Sequence, residues 1–352
     1  MTTKTPLKLL GAIPSPYTRK MLALLRYRHI PYRMLWGDPR KILEEIGLDE
    51  PKVLLLPMLL LESPHGHLEV VCDSTPIIRR LETEHFSRSV IPRSRWLAFV
   101  DYLLEDFADE WVTKCMFHFR WHFQEDADNA GTLLPLYNDV RQSSQEWANA
   151  KAFTMDRQVG RLGIVGSNEI TAHLIESSYV RLLELLEAHF TEQPFLLGER
   201  PGAADFGMYG QLTQLIGLDP TSRTLSHKKS PRAVVYSGLM EDQSGLEPDE
   251  DDWNSLASMP STLKPILQEV GRVYAPALLA NYAAKEAGES AWEAEVDGMQ
   301  WRQNTFPYQA KCLSRIRTEY RSMGDSDRSI VNELFSDTGC ETLWSSLQAQ
   351  QA

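Results

Sequence analysis

The sequence predicts an α+β chain: a βαβαββα unit, then an all-α domain, then a long helical extension. Three observations predict it. Short apolar runs of strand type occur only before residue 73. Within the same stretch stand three punctuation marks: Ser15-Pro16, Leu56-Pro57 and Asp73-Ser74. Beyond residue 92 strand signals nearly vanish and helical periodicity takes over.

Residues 7–12 form a short apolar run closed by a turn signal, as a buried strand does. Residues 16–28 read as a helix. Ser15 is a good N-cap, Pro16 suits the first helical position, and Met21, Leu24 and Leu25 share one face. Residues 31–36 suggest a second strand. Asp38-Pro39 opens another helix, which Gly47 closes. Residues 57–62 and 67–72 are two further strands, joined by Ser63-Pro64-His65-Gly66. Asp73 or Ser74 caps a last helix reaching His85. This order matches a thioredoxin-like domain.

Residues 87–92 serve as a linker. Helical periodicity then runs through Phe99, Leu103, Phe107 and Trp111, and again through Leu174, Ile175, Leu182 and Leu186. Residues 243–252 are acidic and loop-like. Residues 263–347 read as helical, with breaks at Gly288, Pro307 and Gly324. The domains are therefore placed at 1–88, 93–224 and 225–352. The aromatic residues of the last segment, Trp292, Trp301 and Phe306 among them, predict packed helices on the helical domain and not a disordered tail.

The formal net charge is -12, which disfavours phosphate backbones, so no nucleic-acid partner is expected. The four cysteines are widely spaced and form no CxxC pair or metal cluster, as expected of reduced thiols in a cytoplasmic protein. The N-terminal residues lack an apolar signal core and no apolar run approaches bilayer length, so no membrane association is expected.

The three motifs, in this order, resemble the glutathione-binding half of a soluble glutathione transferase. The resemblance is best over residues 7–86. A second match is Phe195-Leu196-Leu197-Gly198-Glu199-Arg200-Pro201-Gly202-Ala203-Ala204-Asp205-Phe206, which looks like the family's capped core helix. One departure is Gly202, where the family usually has Ser or Thr forming a capping box with Asp205. Another is the interval from Pro57 to Ser74, a few residues longer than usual, with the extra length assigned to residues 63–68.

The resemblance implies a Ser-type site. Ser15 would be the catalytic residue, its hydroxyl contacting the sulfur of reduced glutathione. A free thiol has a pKa of about 8.5, and lowering it by two units needs about 2.7 kcal/mol of differential stabilisation. A helix N-terminus offers orphan N–H groups and partial positive charge for that purpose. Tyr17 and Thr18 are alternative hydroxyls. Pro57 would be a cis-proline that frees the Leu56 backbone to bind the cysteinyl part of the tripeptide. Asp73 and Ser74 would hold the γ-glutamyl group, the carboxylate on its ammonium and the helix N-terminus on its carboxylate.

The second substrate, a hydrophobic electrophile, would lie against Trp111, Cys115 and His118, in a stretch rich in aromatic residues. Helix packing is the competing reading of those residues. His118 and His122 are spaced i, i+4, which can hold a metal, but no HExxH pattern accompanies them and no metal is expected. The resemblance implies conjugation of glutathione to an electrophile, by a homodimer. The rivals are another glutathione-dependent reaction, such as an isomerase or dehalogenase, and a non-catalytic binding or scaffold protein on the same fold.

Overall fold

The computed structural model describes residues 6–62 and 68–348. The first unit is β1 (Leu7–Leu10), α1 (Pro16–Tyr27), β2 (Tyr32–Leu35), α2 (Pro39–Glu45), β3 (Met58–Glu62), β4 (Leu68–Cys72) and α3 (Ser74–Glu84). This is the predicted βαβαββα order. The sheet runs β2-β1-β3-β4, with β1 and β2 parallel and the other pairs antiparallel. Pro16 and Pro39 each open a helix, and the Ser15 and Asp38 side chains accept the cap bonds. Of residues 63–68, to which the extra length is assigned, 63–67 lie outside the described residues.

The register of the sheet positions the site. Leu10 at the end of β1 pairs with Met58 at the start of β3, and Met58 pairs with Cys72 at the end of β4. The segments next to these three residues therefore leave the sheet at the same end. They are the Ser15 turn, the Leu56-Pro57 step and the Asp73-Ser74 helix start.

The helical domain follows as α4 (Arg95–Phe107), a π-helical turn (Ala108–Val112), α5 (Thr113–Trp121), α6 (Gln124–Leu136), α7 (Ser144–Val159) and α8 (Ala172–His189), then α9 (Ala203–Gly217), α10 (Pro220–Lys229) and α11 (Pro231–Leu239). The expected boundary at 224/225 falls inside α10, so the helical run continues through α11. Helix α9 is the hub, buried along nearly its whole length and packed on α1, α4 and α11. At Gly210 a Cβ would come within 2.5 Å of the Pro16 carbonyl oxygen, so the start of α1 lies directly on α9.

The glycine at position 202 has a physical reason. A Cβ there would meet Asp101 Oδ1 at 2.4 Å. That same oxygen accepts the Ala204 N–H at 2.9 Å, so a carboxylate from α4 supplies the cap that a Ser or Thr at 202 would give. Asp205 still returns a bond to the Gly202 N–H at 2.9 Å and takes the Leu196 N–H at 2.9 Å.

The extension is α12 (Leu263–Glu269), α13 (Ala275–Ala287), β5 (Ala291–Val296), β6 (Met299–Asn304), α14 (Pro307–Ser322), α15 (Asp325–Leu334) and α16 (Thr342–Gln348). The predicted breaks are present: Gly288 ends α13 in the left-handed region, Pro307 starts α14 and Gly324 precedes α15. The wholly helical reading is corrected at residues 291–304, which form an antiparallel hairpin. Its turn, Asp297-Gly298, has φ of 53° and 71°, the conformation that Asp-Gly favours between strands. The extension is packed onto the helical domain. Phe99 of α4 meets Trp344, Phe335 and Tyr320 edge-on, and Trp301 lies 5.2 Å from Trp111 between ring centroids. No helix among the described residues is long and apolar enough to cross a membrane.

Candidate functional site

At the shared end of the sheet the three motifs adopt distinct roles. Ser15 is extended, and its Oγ accepts the Thr18 N–H at 3.3 Å. That bond uses a lone pair and leaves the O–H to donate elsewhere. The two alternative hydroxyls are committed. Tyr17 Oη donates to the Asp109 carbonyl at 2.8 Å, and burial holds its pKa well above the usual phenol value. Thr18 is fully buried and its Oγ1 accepts the Ala12 N–H at 3.3 Å.

The Leu56-Pro57 bond is cis. Among the described residues neither the N–H nor the C=O of Leu56 has a backbone partner, so both are available to an extended ligand. Cys72 stands at the same rim as a free, partly exposed thiol. Burial pushes its pKa up, which disfavours the thiolate a nucleophilic cysteine needs.

Asp73 has φ of 79°, and its side chain makes no cap bond to α3. Its carboxylate is instead engaged by the extension. Tyr308 Oη donates to Asp73 Oδ2 at 2.7 Å, and an Arg315 guanidinium N–H reaches the same oxygen at 3.4 Å. Both come from α14, one two-turn step apart. Ser74 is 4% exposed, and its Oγ accepts from Lys20 Nζ at 3.1 Å.

Lys20 is the centre of a buried charge cluster. Its ammonium also contacts Glu105 Oε1 at 2.7 Å and Asp109 Oδ2 at 2.5 Å. Burial alone would lower its pKa, but Asp109 and Glu105 outweigh burial and raise it, so the ammonium stays charged. On the far side of the same α4 stretch, Tyr274 Oη donates to Asp106 Oδ2 at 2.5 Å. The site thus rests on a cationic lysine one turn into α1, with acids from the helical domain beneath it.

The residues expected to line the electrophile pocket lie elsewhere. Trp111 is buried, and its indole N–H donates to Ser178 Oγ at 2.9 Å. Cys115 is buried against the Ile175 carbonyl, and burial pushes its pKa up to about 12. His118 is fully buried with Nδ1 at 2.8 Å from Ser167 Oγ, and burial pulls its pKa down to about 3. These three side chains face α8 and the segment before it. The face turned to the first unit carries Asp109 and Thr113, which Tyr17 contacts. The packing reading accounts for the aromatic run.

Tyr308, Arg315 and Lys20 are not among the site residues expected from the sequence, where Tyr308 counts only as a packing aromatic of the extension. Lys20 carried a signal, since it shares the buried face of α1 with Leu24, four residues on. Tyr308 and Arg315 carried none, because 235 residues separate Tyr308 from its partner Asp73. Two cavities, of about 650 and 170 Å³, lie away from these residues. The larger is lined by Trp96, Leu97, Trp253 and Leu256, among others, and the smaller by Arg79, Phe99 and Met323, among others.

Two family models match the chain. One, "Glutathione S-transferase, N-terminal domain", covers residues 9–89, and the other, "Glutathione S-transferase, C-terminal domain", covers residues 150–240. Together they support the glutathione transferase family. The fold is the glutathione-transferase type, a thioredoxin-fold domain with a small sheet followed by a helical domain. No curated protein matches the chain. Among solved structures, a Tau class glutathione S-transferase from mango, Mangifera indica, is 17% identical, with 75% of this chain and 96% of that one covered and a TM-score of 0.39. A glutathione transferase family member from Pseudomonas fluorescens Pf-5, solved with two glutathione bound, is 12% identical over 69% of this chain and 92% of that one, with a TM-score of 0.43. A poplar glutathione transferase F1 is 13% identical over 68% and 95%, with a TM-score of 0.39.

Proposed function

We propose that the protein binds reduced glutathione at the shared end of the sheet and conjugates it to a hydrophobic electrophile. The observation that carries this reading is the register Leu10–Met58–Cys72, which brings the Ser15, Leu56 and Asp73-Ser74 segments to one edge. In this reading the Ser15 O–H donates to the glutathione sulfur and, with the positive end of the α1 dipole, favours the thiolate. The Leu56 backbone pairs with the cysteinyl unit. The γ-glutamyl carboxylate meets the start of α3, where Ser74 stands, and its ammonium meets Asp73. The thiol proton leaves to solvent. The sulfur electron pair then forms the new bond to carbon as the leaving group departs with its own pair. Holding the two reactants together supplies much of the rate.

The test is the ultraviolet absorption of the bound thiolate, followed against pH. A glutathione thiol pKa lowered on the protein, and returning toward the free value in Ser15→Ala, supports the role of Ser15. An equal thiol pKa in both proteins overturns it. The same reading has the protein act as a homodimer in the cytoplasm, and light scattering of the purified chain tests the dimer.

A second reading is favoured by one observation. The Asp73 carboxylate is engaged by Tyr308 and Arg315, so α14 occupies the place that a ligand ammonium would take. A non-catalytic member of the fold, with its ligand subsite filled by its own extension, has this arrangement. Failure to bind glutathione until Arg315 is removed separates the two readings.

A further inference from the structure

His118, His122 and Glu176 lie outside the site described above, and nothing in the glutathione reading uses them. His118 and His122 are one turn apart at the end of α5, with rings stacked at 4.4 Å and 21°. Glu176 comes from α8, which packs on α5. One ligand atom from each of the three lies within 4.8 Å of the other two. His118 is fully buried, and its Nε2 has no hydrogen-bond partner, although Glu176 Oε1 is 3.5 Å away. A buried ring nitrogen without a partner calls for an explanation. The other nitrogen of the ring supplies one. Nδ1 lies 2.8 Å from Ser167 Oγ, a serine that is 2% exposed. When Nδ1 carries the proton and donates to Ser167, Nε2 keeps its lone pair, 3.5 Å from Glu176 Oε1 and with His122 stacked alongside. Metal-bound histidines have this arrangement, with the second nitrogen fixed by a hydrogen bond behind the ring.

We propose that His118, His122 and Glu176 form a binding site for a divalent transition cation of the zinc type, with Ser167 orienting His118. Two imidazoles and one carboxylate are a donor set such a cation accepts, and three protein ligands leave a fourth position open to water or an exogenous group. Closing the site requires His122 to turn out of its stacked position and Glu176 to approach. His122 is exposed and Glu176 is half exposed, so both can move toward the fixed His118. Phe119 and Phe123 wall the pair on its apolar side. The bound cation joins α5 to α8 beside the 162–167 turn. That turn already holds Lys114 of α5 through the Val165 carbonyl and Gln303 of β6 through the Ile164 carbonyl. The site therefore clamps the helical domain where the extension hairpin leans on it. It stands independently of the glutathione reading.

The experiment uses the full chain, stripped with a chelator, titrated with Zn²⁺ by calorimetry and with Co²⁺ by visible absorption. The expected result is one saturable equivalent, tetrahedral-type cobalt bands, and a thermal midpoint that rises with metal. His122→Ala and Glu176→Gln change solvent-facing side chains and leave the fold in place. Each is expected to weaken binding at least tenfold, and Ser167→Ala by roughly 10–100-fold. No saturable binding overturns the proposal. So does one-equivalent binding that His122→Ala and Glu176→Gln leave unchanged, since the cation then sits on other residues.

Discussion

Tyr308 donates its hydroxyl to Asp73 at 2.7 Å, which ties the extension to the helix start that the glutathione reading assigns to the γ-glutamyl group. Arg315 adds a cation to the same carboxylate oxygen. A ligand ammonium arriving at Asp73 meets a like charge already in place. The pair is partly exposed, with the arginine side chain 42% accessible, so the attraction is worth about 0.5–1 kcal/mol. Arg315→Ala is predicted to tighten binding of reduced glutathione by roughly two- to fivefold, the equivalent of that energy. Unchanged or weaker affinity by calorimetry would show that Arg315 does not compete for Asp73.

Ser15 has two separable tasks, and two substitutions divide them. Ser15→Ala removes both the hydroxyl and the helix cap, at a stability cost of about 1 kcal/mol. Ser15→Gly removes the hydroxyl while costing the cap only a few tenths of a kcal/mol. Both are predicted to lower glutathione-dependent turnover by about 10–100-fold, the loss of one hydrogen bond to a charged group. Denaturant unfolding alongside the rate measurement checks the split. Turnover that tracks stability and not the hydroxyl would assign Ser15 to capping alone.

Asp106 makes stability depend on pH. Burial chiefly, with Asp109 and Glu105 adding and the Tyr274 hydroxyl opposing, lifts its pKa from the ordinary 3.8 to about 7. The folded state therefore binds this proton more tightly than the unfolded chain does. The sign follows: the contribution is full below 3.8 and is lost as pH rises through about 7. Asp109, lifted to about 6 mainly by burial, has the same sign. Asp106→Asn keeps an acceptor for Tyr274 and cannot ionise. It is predicted to flatten the fall in stability across this window by on the order of 1–3 kcal/mol. An unchanged pH slope in urea titrations would contradict the assignment.

Trp111 is a packing residue here. Trp111→Ala is predicted to cost about 3–5 kcal/mol of stability through the cavity it opens beside Trp301. Trp111→Phe, which keeps most of the volume, is predicted to leave the KM for electrophiles unchanged. A KM shift at constant stability would return Trp111 to the substrate site.

The thioredoxin-like unit was legible because its signals are local. Ser15-Pro16 and Asp38-Pro39 each place a cap and a proline where the backbone needs them, and the structure starts α1 and α2 there. The shared edge of the three motifs was implied by resemblance and is visible in the register. The hairpin at Asp297-Gly298 was also written locally, since Asp-Gly lies between Trp292-Glu293-Ala294-Glu295-Val296 and Met299-Gln300-Trp301-Arg302-Gln303. Its neighbourhood of strong helices masked the alternation. The orientation of Trp111, Cys115 and His118 was not legible, because an aromatic helix face is equally suited to a ligand or to a neighbouring helix. The closure of Asp73 by Tyr308 depends on how α14 crosses α4, which no local pattern encodes.

The most direct test is titration of the full chain with reduced glutathione in a calorimeter, repeated with Asp73→Asn. Asp73 makes no cap bond to α3, so this substitution leaves the helix start intact. The account predicts saturable one-to-one binding that Asp73→Asn weakens. No binding up to several millimolar, in the wild-type chain and in Arg315→Ala alike, would contradict it.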